Sequence, residues 1–127
     1  MPDITDERYE RGRRRFLEVH DERALRAVEG LGELGRHIVS FVYGEVYADP
    51  TLSTRERAIA AVAALIATGR SSQLPAHLRA ALKAGVTQEE LGAVIVQTGS
   101  IVGFPPAMNA MATLRTVLAG RDDPGDT

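Results

Sequence analysis

Hydrophobic residues along this chain recur at three- and four-residue intervals among Ala, Leu, Arg and Glu, with no stretch of strict alternation. That period belongs to amphipathic helices rather than strands. A first helix is predicted over Asp6 to His20. A second region, Glu22 to Tyr47, is interrupted by Gly30, Gly32 and Gly35, where a break is expected. Its second half sets Ile38, Val42 and Val46 on one face with Val39 and Tyr43 beside it, and Asp49-Pro50 ends it. A third helix opens on Ser53-x-x-Glu56, a capping box in which the serine oxygen takes an orphan N–H and the glutamate reaches back to the cap. Gly69 is its stop.

A fourth helix starts near Ser71 or Ser72, with Pro75 in the first turn, where a missing N–H costs little. It closes on Lys83-Ala-Gly85, a cation and a glycine at a C-terminus. Thr87-x-x-Glu90 is a second capping box, opening a helix with Leu91, Val94 and Ile95 inward. Gly103-Phe-Pro-Pro106 breaks the chain, and a last helix runs from Pro106 to Ala119. The fold class is therefore all-α, about six helices in an orthogonal or bundle-like arrangement. Residues 1–120 are expected to form one domain, with 121–127, polar and carrying Pro124 and Gly125, as a flexible tail.

Composition narrows this picture. With 127 residues, 44% hydrophobic and 25% charged, the chain suits one globular core. A net charge of −2 offers no bulk attraction for nucleic acid or an anionic membrane. The longest apolar run, Ala58 to Thr68, is too short to span a bilayer. The acidic N-terminus is unlike a signal peptide, so the cytoplasm is the expected compartment. There is no cysteine, which excludes thiol chemistry and thiolate metal sites. Ala107, Ala110, Ala112, Gly99 and Ser100 allow close helix packing, and so short a chain is expected to bury some of that surface in an oligomer.

Five residues stand out as candidate chemistry. His77, in the second turn of the fourth helix, can donate or accept a proton near neutral pH; an ordinary surface or capped histidine is the alternative. Arg57 and Arg70 flank the same helices with planar guanidiniums suited to carboxylates, as does Arg79. Glu45 lies between Tyr43 and Tyr47 and is either a buried acid or one half of an ion pair. The run Arg11-Gly-Arg-Arg-Arg15 is surrounded by Asp and Glu, which favours a salt-bridged helix over a nucleic-acid patch. No two of the histidines have i, i+4 spacing, so no metal is expected.

In order along the chain, Arg8-Tyr9-x-x-Gly12, Phe41-Val-Tyr-Gly-Glu-Val-Tyr47, Arg57-Ala-Ile, Gly69-Arg70, His77-Leu-Arg79, Gly85-Val-Thr-x-x-Glu90 and Gly103-Phe-Pro105 resemble the carboxymuconolactone decarboxylase family. The resemblance covers nearly the whole chain and implies an alkylhydroperoxidase D-like helical domain. In the register of that superfamily's peroxidase branch, the two cysteines fall at Arg70 and Gln73 and the glutamate at Ala58. Glu56 cannot stand in for position 58, since two helical residues point about 200° apart. The chain thus resembles the cysteine-free branch. It departs from the family's pattern at Ser71-Ser-Gln73 and Pro75, around Pro105-Pro106-Ala-Met-Asn109, and near His20.

The resemblance implies a lyase of aromatic catabolism, on the beta-ketoadipate route, that releases carbon dioxide from a carboxylated lactone to give an enol-lactone. No cofactor is implied, because the ring alkene and lactone carbonyl accept the electrons of the broken C–C bond. His77 and Glu45 are implied as catalytic, and Arg57, Arg70 and Tyr43 as substrate-binding. A homotrimer or homohexamer is implied as well. A related lyase, isomerase or cyclase on another lactone, and a non-catalytic oligomeric binding protein, are the competing readings.

Overall fold

A computed structural model describes residues 4–120; the tail expected at 121–127 lies outside them. Seven α-helical segments and one π-helical segment make up the described residues, with no strand among them. They are α1 (Ile4–Val19), α2 (Glu22–Glu29), α3 (Glu33–His37), a π-helix (Ile38–Val46), α4 (Thr54–Ala67), α5 (Leu74–Lys83), α6 (Gln88–Val102) and α7 (Phe104–Leu118). No helix among the described residues is long and apolar enough to cross a membrane. The chain divides between Thr54 and Arg55 into two compact units.

In the first unit, α1 packs against the π-helix. Glycine sets the spacing. A methyl group at Gly12 would stand 2.0 Å from the carbonyl oxygen of Val39, and one at Gly44 would stand 2.7 Å from that of Arg8. The π-helix, with its wider i→i+5 winding, is the feature that a 3.6-residue period does not foresee. Val39, Ser40, Tyr43 and Gly44 are the buried positions, while Val46 is exposed. The face expected at Ile38, Val42 and Val46 is therefore rotated, because each turn holds more residues. The break in the second region comes at Gly30–Gly32; Gly35 lies inside α3 and is buried, pressed against the Val28 carbonyl.

Arginines of α1 complete this unit. Arg11 donates from Nε to the Gly44 carbonyl at 2.9 Å, and Arg15 from Nε to the Tyr47 carbonyl at 3.1 Å. Both carbonyls lie at the end of the π-helix, where backbone acceptors lack intrahelical donors. Arg13 pairs with Glu29 at 3.1 Å, Tyr9 donates its hydroxyl to the same carboxylate, and Arg15 pairs with Glu18 at 2.7 Å. The basic run is thus salt-bridged, as its acidic surroundings suggested.

The second unit holds an apolar core from α4 to α7, in which Val62, Leu78, Ala81 and Leu91 are fully enclosed. The Thr87–Glu90 capping box forms in full, and Arg55 pairs with Glu90. Gly69 follows α4 at φ +70° and Gly103 separates α6 from α7 at φ +105°, backbone conformations that favour glycine. Two helices start elsewhere than expected. Residues Ser71 to Gln73 form a turn, with Gln73 N–H donating to the Arg70 carbonyl at 3.1 Å, so α5 begins at Leu74. α7 begins at Phe104, taking both prolines into its first turn, where neither N–H is needed.

Gly12→Ala is expected to destabilise the protein by roughly 1–3 kcal/mol, since the new methyl meets backbone that cannot step aside. Gly92→Ala, in α6 with open space around it, should instead stabilise by roughly 0.5–1 kcal/mol. Urea titrations followed by circular dichroism compare the two.

Candidate functional site

The sequence candidates fall into both units, and each unit supplies its own partners. Tyr43 and Glu45 lie on the π-helix of the first. Tyr43 is 5% exposed, and its hydroxyl shares a 2.8 Å hydrogen bond with Nε2 of buried His20. Phe16 meets Tyr43 edge-on at 4.6 Å between ring centroids, and Tyr47 stacks on Tyr43 at 4.7 Å. Burial, and secondarily the neighbouring Tyr47, pushes the Tyr43 hydroxyl above the ordinary tyrosine range, so it stays protonated. Glu45 pairs with Arg8 at 3.1 Å with its side chain 42% exposed. Of the two arrangements open to it in sequence, it takes the ion pair.

His77, Arg57 and Arg70 belong to the second unit. On α5, Leu74, Leu78 and Ala81 face the core. His77 precedes Leu78 and so falls at the margin of that face, half-buried. Burial holds its pKa below the ordinary histidine range, because removing water disfavours the imidazolium. The ring is neutral at neutral pH, with one nitrogen donating and one accepting. Arg57 on α4 and Arg79 on α5 are half-buried, and the Arg57 Nε and Arg79 Nη1 atoms are out of solvent. Arg70 is exposed in the turn after Gly69, its N–H bonded to the Leu65 carbonyl at 2.9 Å.

A cleft of about 180 Å³ opens in the same unit, between the end of α4, the start of α5 and the first turns of α7. Leu65, Ile66 and Leu74 give it an apolar floor, and Ser71, Asn109 and Thr113 supply polar groups. His77, Arg57 and Arg70 are not among the residues that line it. Among the described residues, no three His, Asp or Glu side chains are gathered as a metal centre would need.

Sequence reasoning passed over His20, whose partnership with Tyr43 depends on how α1 meets the π-helix. The signal within reach was the Phe16-x-x-x-His20 spacing, which puts two rings on one face of α1; their centroids lie 4.8 Å apart. Ser71 and Asn109, where the sequence departs from the family's pattern, both line the cleft.

The pH dependence of stability follows from His77. Its folded-state pKa lies below the ordinary 6.5. Between that lowered value and about 6.5 the unfolded chain binds the extra proton, so stability is full above about 6.5 and is lost as pH falls through this window. The unfolding free energy of the wild type minus that of His77→Gln should therefore decline with acidification below about pH 6.5 and stay level above it, in urea melts at stepped pH.

The sequence pattern of the carboxymuconolactone decarboxylase family matches residues 32–116. The chain is also similar to a 4-carboxymuconolactone decarboxylase from Acinetobacter baylyi, 32% identical over 111 residues, which cover 84% of this chain and 83% of that protein.

Proposed function

Because the chain belongs to the carboxymuconolactone decarboxylase family, we propose that it is a cofactor-free lyase that releases carbon dioxide from a carboxylated lactone to give an enol-lactone. The observation that carries this reading is the neutral, half-buried imidazole of His77 in a chain without cysteine. The substrate provides its own electron sink. As the C–C bond to the leaving carboxylate breaks, its electron pair passes through the ring alkene to the lactone carbonyl oxygen. The resulting dienolate takes one proton on carbon, and the carbonyl returns. Each turnover releases one carbon dioxide and consumes one proton.

The protein's part is then electrostatic. Charge grows on the carbonyl oxygen in the transition state, and a preorganised donor there lowers the barrier more than water does. A neutral His77 suits this task, because its N–H needs no prior protonation. An arginine holds the substrate's second carboxylate through charge-assisted hydrogen bonds. Arg57 is the better choice than Arg70, since a half-buried guanidinium competes less with water than an exposed one. Glu45 and Tyr43 act by shaping the first unit, through Arg8 and His20 respectively.

A second reading keeps this chemistry and changes the substrate. Ser71, Pro105, Pro106 and Asn109, where the chain departs from the family's pattern, line the cleft of the second unit. A cleft rebuilt at these positions suits a lactone of different shape.

Carbon dioxide release from 4-carboxymuconolactone, followed by coupled assay, tests the proposal. His77→Ala, which leaves no side-chain donor there, should lower kcat by at least ~100-fold. Arg57→Gln should lower kcat/KM by about 10–100-fold, chiefly through KM, as expected for one charge-assisted bond; Arg70→Gln should change it less. Undiminished turnover in His77→Ala removes that residue from the mechanism. No release by the wild type, with turnover of another lactone, favours the second reading.

A further inference from the structure

The cleft between the end of α4, the start of α5 and the first turns of α7 is not used by the chemistry proposed at His77, since neither His77 nor Arg57 lines it. Its size limits what can enter. A cavity of about 150 Å³ lined by aliphatic and aromatic side chains takes up benzene. This cleft, at about 180 Å³, therefore has room for a single six-membered ring with one small substituent. Leu65, Ile66 and Leu74 present carbon to such a ring. Ile66 and Leu74 are themselves fixed in the core, 3% and 4% exposed, so the floor is formed before any ligand arrives.

Charge narrows the ligand further. Every described residue that lines the cleft is uncharged. A carboxylate or ammonium drawn into it would give up water and meet no counter-ion. Helix starts are the usual substitute, because their first N–H groups are free to hold an anion. Here prolines take those places. Pro105 and Pro106 open α7 and line the cleft, and Pro75 follows Leu74 at the start of α5; none of the three has an N–H to offer. The polar groups that remain suit a neutral partner. The Asn109 carboxamide supplies both a donor and an acceptor. The Thr113 hydroxyl donates to the Asn109 carbonyl oxygen at 2.9 Å, which leaves its own oxygen able to accept. One hydroxyl on a ring can thus donate and accept at once. We propose that this cleft binds an uncharged monocyclic molecule carrying one hydroxyl or carbonyl group, at a site separate from the His77 imidazole.

Titration of the isotope-labelled full chain with phenol, read from its amide chemical shifts, tests this, with benzoate as an anion on the same ring. Phenol should move the signals of Ser71, Asn109 and Thr113 along saturable curves, with a Kd on the order of 1 mM, ordinary for so few atoms. Benzoate should bind at least ~10-fold more weakly. Thr113→Phe, which fills the cleft, should abolish the saturable shifts. Asn109→Leu, at an exposed position, should keep the fold and weaken phenol by about 5–10-fold. His77→Ala and Arg57→Gln should leave the phenol Kd within about twofold. Binding is read without turnover, so the result is independent of whether the chain decarboxylates a lactone. Benzoate binding as tightly as phenol, scattered shifts without saturation, phenol binding unchanged by both cleft variants, or its loss in His77→Ala would overturn the proposal.

Discussion

A chain made almost wholly of helices must satisfy the backbone groups that it frees at every break, and this requirement shapes both units. In the second, the Thr87–Glu90 box answers it at the start of α6, and prolines remove the need at the starts of α5 and α7. In the first, the π-helix is the hard case. Its last carbonyls are met by Arg11 and Arg15 reaching across from α1. That reach is possible because Gly12 and Gly44 let the two backbones come close. The close crossing and the arginine bonds are two halves of one solution. A bulkier residue at either glycine would push the guanidiniums out of range.

This changes the meaning of the basic run in α1. Arg8, Arg11, Arg13 and Arg15 each have a carboxylate or carbonyl partner. Their charge serves the fold. The second unit treats its guanidiniums differently, with nitrogens of Arg57 and Arg79 withdrawn from solvent beside an apolar interior. Two of the candidate side chains are held neutral. Burial keeps His77 unprotonated and Tyr43 protonated. The Tyr43 hydroxyl is engaged with His20 and serves the first unit.

Much of this was legible in the sequence, for identifiable reasons. Capping at Thr87–Glu90, the stops at Gly69 and Gly85, and the inward positions Leu91 and Ile95 all depend on contacts within a turn or two, so local pattern suffices. The π-helix was not legible, because nothing in Ile38–Val46 marks an extra residue per turn; in the structure this segment packs against α1. The partners of Tyr43 and Glu45 share that fate. His20 and Arg8 are far away in sequence and are brought near only when that contact forms. His77 was legible as a residue at a helix face but not as a neutral one, since its protonation depends on how completely water is removed. The fold class, set by periodicity, and the family, set by ordered short motifs, needed neither kind of long-range knowledge.

The candidate imidazole and the cleft therefore rest on different parts of the second unit. The His77-Leu-Arg79 segment is held by the buried face of α5, where Leu74, Leu78 and Ala81 pack in the core, so its placement follows from packing that tolerates little change. The cleft is framed by turns and first turns, among them Ser71, Pro105 and Pro106, where substitution costs the core little. Its shape can drift while the imidazole stays in place. The proposed reaction demands of a substrate only that its leaving carboxylate be joined through an alkene to the lactone carbonyl, and many small lactones meet this demand.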